Sequence, residues 1–326
     1  MRSQRHNKTS LLRFAPQLLS WYDTNKRDLP WRRTEDPYRI WISEIMLQQT
    51  RVAAVIAHYH EFLRRFPTVQ KLAAARESSV LAAWSGLGYY RRARMLHAAA
   101  KVIARERKGT FPQTSADWRE LPGIGRYTAA AIASIAFGEP IAVVDGNVER
   151  LLQRLLGRQL NGDEVWQWAG ELLDRTRPGD FNQAMMELGA TVCTPKSPSC
   201  LLCPIVDLCV TRGDLPSKTV TEGQTKREIH YALHRRGQSV FLVQRPSHVR
   251  LMADMWELPE IAAPGAPATP DFTVRHSITV TDYTVHIWHR AAREASEGQW
   301  FTPLRAAGLP LTGLAREILR RAKVLL

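Results

Sequence analysis

The sequence predicts a multi-domain protein, an all-α domain followed by a smaller α+β domain. Three observations carry this. From residue 10 to about residue 192, apolar side chains recur at helical spacing. Beyond residue 226 the pattern becomes an alternation rich in β-formers. Between them, TRGDLPSKTVTEGQTK (211–226) is polar, contains Pro and Gly, and reads as a connector. The domains are therefore expected at 1–210 and 227–326, and 326 residues suffice for two or three cores.

Taken in order, Leu11, Leu12, Phe14, Leu18, Leu19 and Tyr22 predict a helix over 10–24. DLPWRRTEDPYRI, with two prolines, reads as a loop leading into a helix WISEIMLQQT. That helix has Trp41, Ile42, Ile45 and Met46 as its apolar side and Glu44 opposite them. Helices are expected over 52–66, 69–75, 78–84 and 91–108, with GLGYY (86–90) as a turn. The 91–108 segment carries Arg91, Arg92, Arg94, Lys101, Arg105, Arg107 and Lys108 against a single acid, Glu106. The default for such a run is a solvated face; the adjacent Tyr89 and Tyr90 favour a nucleic-acid surface. In LPGIGRYTAAAIASIAFGEPIAVVDGNVER, Pro122, Gly123 and Gly125 make a tight turn, and Arg126–Phe137 follows as a helix stopped by Gly138 and Pro140. The apolar run Ile141–Val144 ends at Asp145, and Val148, Leu151, Leu152, Leu155 and Leu156 mark one face of the next helix. Two more helices are expected near 163–176 and 181–192. After the connector, EIHYALH, SVFLVQR, DFTVRHSITV and YTVHIWH read as strands, PGAPATP as a loop, and Leu311–Leu326 as one helix.

Lys plus Arg total 45 against 31 Asp plus Glu, a net charge of +14, which favours a polyanionic partner. No uninterrupted apolar run approaches the ~18 residues of a spanning helix. The basic N-terminus MRSQRHNKTS lacks the apolar core of a signal peptide, so a cytosolic protein is expected. The chain has four cysteines, Cys193, Cys200, Cys203 and Cys209, spaced C-x6-C-x2-C-x5-C. Such clustering argues for a metal site rather than a disulfide framework. Structural zinc and a [4Fe–4S] cluster both take four thiolates; the uneven loops are not paired knuckles, which favours the cluster.

The glycine hairpin leaves backbone N–H groups free at a helix N-terminus, suited to a phosphate, while Asp before a helix is ordinarily an N-cap. Together, at this spacing, Gly123, Gly125 and Asp145 resemble the helix-hairpin-helix (115–137) plus Gly/Pro…Asp signature of a DNA glycosylase superfamily. The cysteine spacing matches the cluster loop (193–209) of endonuclease III and MutY-type glycosylases. PWRRTEDPYRIWISEIMLQQTRV closely resembles the N-terminal motif of MutY-type adenine DNA glycosylases.

That resemblance, over most of residues 28–210, implies removal of adenine mispaired with 8-oxoguanine or guanine, leaving an abasic site in base-excision repair. It implies Glu44 as the acid that protonates the leaving adenine and Asp145 as the carboxylate that stabilises the cationic sugar. Breaking an N-glycosidic bond needs both, because the transition state is oxocarbenium-like and adenine leaves poorly as an anion. A bifunctional endonuclease III-like lyase carries a Schiff-base lysine after the hairpin; here Tyr127 stands in GIGRYTA, which argues for a monofunctional enzyme. A non-catalytic iron–sulfur DNA-binding module is the other alternative, opposed by the presence of both Glu44 and Asp145. By position, Gln49 and Tyr89 match residues that fill or wedge the vacated base stack, with Leu47 beside them. Arg32, Tyr127, Asn147 and Glu187 match residues that hold adenine or order the catalytic water. The C-terminal half resembles the Nudix-like domain appended to this family, without the acidic metal box of the hydrolases. Its 8-oxoguanine-sensing loop aligns with HSITV, so Thr279 and Val280 replace the family's Ser and His. The implied partner is double-stranded DNA bearing the mispair, bound by a monomer, at the nucleoid of a bacterial cytoplasm.

Overall fold

The computed structural model describes residues 11–215, 225–249, 252–265, 268–278, 281–290 and 298–325. The expected Thr279 and Val280, and most of the 211–226 connector, lie outside the described residues. The described residues fall into two compact units. The first draws on Met1–Tyr59, Thr68–Gln70 and Ala98–Thr219, the second on His60–Pro67, Lys71–His97 and Val220–Leu326.

The helical elements are α1 (Phe14–Asn25), α2 (Pro37–Leu47), α3 (Val52–Arg65), α4 (Val69–Ala74), α5 (Glu77–Trp84), α6 (Arg91–Arg105), α7 (Ser115–Trp118), α8 (Arg126–Phe137), α9 (Gly146–Leu156), α10 (Gly162–Leu172) and α11 (Pro178–Thr191). In the first unit, Leu18 and Tyr22 of α1 pack with Leu151 and Leu155 of α9 and Phe181 and Leu188 of α11. Ile205 and Leu208 of the cysteine loop join the same core. A second apolar group links Tyr38 and Trp41 to Phe111 and Trp118 by ring contacts of 5.7–6.5 Å.

Two expectations about α2 are corrected. The helix starts at Pro37, capped by Asp36, so part of the expected loop is helical; it ends at Leu47. Glu44 is not on a solvated face. Residues Ile40 to Met46 are all buried, while Arg39 of the first turn stays exposed.

Between α8 and α9 the apolar run Ile141–Val144 forms no regular element. Buried Asn182 fixes it: its amide donates to Ile141 O (2.8 Å) and Ser134 Oγ (3.0 Å), and its oxygen accepts from Val143 N (3.0 Å). Nearby, α11 approaches α8 closely at Gly179. A Cβ there would lie 2.7 Å from Ser134 O and 2.9 Å from Ile135 Cα. Both are backbone atoms, so Gly179→Ala is expected to cost about 1–3 kcal/mol by overpacking, read as a lower urea midpoint.

The second unit holds two sheets. One has strand order β5-β1-β7-β6, built from β1 (Thr225–Leu233), β5 (Glu260–Ile261), β6 (Phe272–Ile278) and β7 (Thr281–His289). β1 and β7 run parallel, and the other pairs are antiparallel. The other has β2 (Arg235–Arg236), β3 (Ser239–Gln244) and β4 (Trp256–Glu257), with β8 (Gly298–Phe301) also on β3. Ile229 to Leu233 and Val285 to Ile287 contribute core residues, against Leu314, Ile318 and Leu319. The helix expected over Leu311–Leu326 is α13 (Gly313–Arg321), and a short α12 (Pro303–Ala307) that was not expected precedes it; each is capped by a threonine, Thr312 and Thr302. The strands of two residues carry no period that sequence could reveal.

Candidate active site and cysteine loop

Two helix starts and α2 build the site in the first unit. After the Gly123 turn (φ +75°), Gly125 is the N-cap of α8, with no side-chain cap and no acid in the first turn. A Cβ on Gly125 would meet nothing within 4 Å, so the glycine answers no internal packing need. Tyr127, in that first turn, donates its hydroxyl to Glu44 Oε2 (3.0 Å) and lies 3.4 Å from Met186 Sδ.

Glu44 is 5% exposed. Burial pushes its carboxyl up to about 7; the Tyr127 hydrogen bond and Arg32 oppose the rise and the charge of Asp145 adds to it. Burial likewise holds the Tyr127 hydroxyl well above its usual range, so it stays a donor. Asp145 is the N-cap of α9. Its Oδ1 accepts from the N–H of Asn147 (2.9 Å) and Val148 (2.8 Å), and its Oδ2 accepts from Asn147 Nδ2 (2.9 Å). The capping interaction fixes the direction of the carboxylate. The structure thus brings Glu44, Tyr127, Asp145 and Asn147 together from three separate stretches. One carboxyl is desolvated and able to hold a proton near neutrality. The other only accepts hydrogen bonds.

Beside them, Glu187 is buried beneath two arginines. Arg27 reaches it through Nε and Nη2, both at 2.7 Å, and through its backbone N–H; Arg32 adds Nη2 at 2.8 Å. Burial alone would raise Glu187, but these bonds outweigh it and hold the carboxyl down at about 2. Arg27 was not singled out by sequence: its partner lies 160 residues away. Leu47 is half-buried at the end of α2, and the next turn puts Gln49 exposed with φ +54°. Gln48 instead donates to Thr128 Oγ1 (3.0 Å).

In the second unit, Tyr89 is 49% exposed with φ +48°. Non-glycine residues in this left-handed region are uncommon and cluster at functional sites. Gln49 and Tyr89 share this property, which no sequence pattern shows, with six other non-glycine residues among those described. Of the basic run, Arg92 and Arg94 have internal partners in the second unit and Arg107 pairs with Glu120 in the first.

The cysteine loop wraps around two arginines of α9. Buried Arg154 donates to the carbonyls of Cys193, Thr194 and Pro195, to Cys193 Sγ (3.4 Å) and to Asp214. Arg150 donates to Cys193 O (2.9 Å), Gly189 O (2.6 Å) and Asn147 Oδ1 (2.9 Å), tying the loop to the Asp145 cap. Cys193, Cys200, Cys203 and Cys209 are free of disulfides and line one cavity with Arg154. Among the described residues, no three His, Cys, Asp or Glu side chains are grouped to hold a single metal ion. Four thiols around one cavity supply the donor set of an iron–sulfur cluster, in which each of four irons takes one thiolate. Arg154→Met is expected to release the loop, lowering iron bound per chain and the cluster's visible absorbance while far-ultraviolet circular dichroism is kept.

Known proteins resemble this chain in both the helical region and the cysteine loop. Residues 42–165 match the HhH-GPD superfamily base excision DNA repair protein model, and residues 193–209 match the iron–sulfur binding domain of endonuclease III. The cofactor of the loop is a [4Fe–4S] cluster. The chain is 50% identical over 216 residues to an adenine DNA glycosylase of Homo sapiens, covering 61% of this chain and 39% of that one. It is 40% identical over 306 residues to an adenine DNA glycosylase of Arabidopsis thaliana, covering 78% and 48%. The chain therefore spans about half or less of these relatives. Among solved structures, a thermostable thymine-DNA glycosylase is 31% identical with a TM-score of 0.60, covering 63% of this chain and 97% of that one. Among the described residues, no helix is long and apolar enough to cross a membrane.

Proposed function

From a chain that belongs to the HhH-GPD superfamily of base excision DNA repair proteins, we infer a monofunctional adenine DNA glycosylase. It excises adenine mispaired with 8-oxoguanine or guanine in duplex DNA. The observation that carries this is the pairing of Glu44 with Tyr127. The desolvated carboxyl meets a phenol where a lyase would present an amine.

The chemistry follows from the residues. The target nucleotide leaves the stack, because its atoms are inaccessible within the duplex. Gln49 and Tyr89 fill or wedge the gap, with Leu47 beside them, and the hairpin N–H groups at Gly123 and Gly125 take a backbone phosphate. Arg32 and Glu187 line the base pocket, with Arg27 holding Glu187 in place. Glu44 donates its proton to the adenine as the N-glycosidic bond breaks, so the base departs neutral. Asp145 faces the cationic sugar and stabilises it, and Asn147 orders the carboxylate and the water that attacks. Tyr127 steers the Glu44 carboxyl through its hydrogen bond. The four cysteines would hold the cluster, whose loop shapes a basic surface around Lys196 against DNA. Residues 1–210 are proposed as the glycosylase domain, 211–226 as the connector, and 227–326 as a Nudix-like mispair-recognition domain in which Thr279 reads the oxidised base. The enzyme acts as a monomer in the cytoplasm.

Single-turnover assays on duplexes with adenine opposite 8-oxoguanine, guanine and thymine test this, with thymine opposite guanine as a further substrate. Adenine release from the first two, and no borohydride-trapped protein–DNA adduct, is expected. Trapping of an adduct would move the chain to the lyases, and release of thymine alone would move it to the thymine glycosylases.

A further inference from the structure

Tyr89 and Tyr90 are neighbours with opposite surroundings. Tyr89 is exposed, in left-handed backbone next to Gly88 (φ +68°) and three residues after Gly86 (φ +106°). Tyr90 is buried, and its hydroxyl donates to the carbonyl of Leu311 at 2.7 Å, 221 residues along the chain. Buried Ser85 places its Oγ 3.2 Å from both the Tyr90 hydroxyl and Leu311 O, and Arg316 Nε donates to that Oγ at 2.7 Å. The accepting carbonyl is itself fixed. Leu311 bridges to Trp256, and Thr312 donates its N–H to Trp256 O (3.0 Å) while capping α13. All these residues belong to the second unit.

The opposite side of the turn is held as well. Trp84 Nε1 donates to Gly88 O (3.1 Å), and Arg92 Nη2 donates to Leu87 O (3.1 Å) with its guanidinium 5.4 Å from the Tyr89 ring centre. An exposed side chain on glycine-flanked backbone would otherwise sample several orientations. A ring that must enter a base stack works best when held in one of them.

We propose that Tyr90, Ser85 and Arg316 are positioning residues that latch the 86–90 turn onto the C-terminal segment around Leu311, so that Tyr89 is presented in a single orientation to the DNA stack. The proposal rests on the glycosylase reading and gives the C-terminal region a mechanical part in base extrusion, separate from reading the opposite base. A buried network of this kind is sensitive to the loss of one partner, because each bond in a low-dielectric site is worth more and polarises its neighbours.

Tyr90→Phe removes one hydroxyl and keeps the ring. In the full-length free protein, the amides of residues 86–92 are expected to exchange hydrogen about fivefold faster, the size of one lost hydrogen bond. Unchanged exchange overturns the latch, and this arm needs no DNA. It therefore decides the latch even where the wild type releases no adenine, a result that would instead overturn the glycosylase reading. In single-turnover excision opposite 8-oxoguanine, Tyr90→Phe is expected to slow the wild type by a similar factor. It should also reduce the fluorescence rise of 2-aminopurine placed at the target. In a Tyr89→Ala background the same change should have no further effect. Equal slowing in both backgrounds would mean a general structural role and overturn the proposal. Arg316→Gln, which leaves Tyr90 in place, should reproduce the exchange and the loss of coupling if Tyr90→Phe proves poorly folded.

Discussion

Glu44→Gln is expected to slow adenine release by about 10²–10⁴-fold while leaving duplex binding intact. Glutamine keeps the shape and still accepts the Tyr127 hydroxyl, but it has no acidic proton to give. The same burial that makes Glu44 an acid makes it a burden on the fold. Its folded pKa of about 7 lies above the ordinary glutamate value of 4.5. Below the unfolded value both states are protonated and nothing is lost. As pH rises between the two values, the unfolded chain ionises first and stability falls, levelling off once the folded group has also ionised. The full cost, up to about 3 kcal/mol, is therefore present above neutrality and absent near pH 4. The inactive Glu44→Gln protein is thus expected to be the more stable one at pH 8, with the difference vanishing at acid pH. Equal urea midpoints across that range would contradict the desolvated-acid assignment.

Asp145→Asn is the second large effect, expected to slow excision by about 10²–10³-fold or more, in the range of a lost charge-stabilising group. Asparagine caps helices about as well as aspartate, so α9 and the Val148 contact should be kept and folding preserved. The variant also removes a charge that pushes Glu44 up. The pKa of Glu44 should fall, moving the loss of residual activity to lower pH than in the wild type. Loss of activity with an unshifted profile would mean that the two carboxyls act independently.

What could be read from sequence was residue types at spacings that chemistry demands. The glycine hairpin, Asp145 at a helix start and four clustered cysteines each carry a local reason, and the described fold keeps all three. Glu44 was legible as a motif residue whose acid role burial would favour, but its position opposite Trp41, Ile42, Ile45 and Met46 carries no burial signal of its own. The arginines were the least legible. On a chain of net charge +14, nothing in the sequence singles out Arg27, Arg150 and Arg154. Their partners are Glu187, Asn147 and the Cys193–Pro195 carbonyls, most of them brought near only by the packing of α9 and α11. Asn182 is hidden for a similar reason: its three bonds go to backbone and side chain of α8 and the segment after it. Left-handed backbone at Gln49 and Tyr89 has no sequence signal at all, since neither residue is one that ordinarily adopts it.

The pH dependence of single-turnover adenine release opposite 8-oxoguanine tests the Glu44 acid most directly. The expected profile is level on the acid side and falls about tenfold per pH unit above a midpoint near 7, as the Glu44 proton is lost. A rate that holds steady or climbs between pH 7 and 9 would contradict proton donation from this carboxyl.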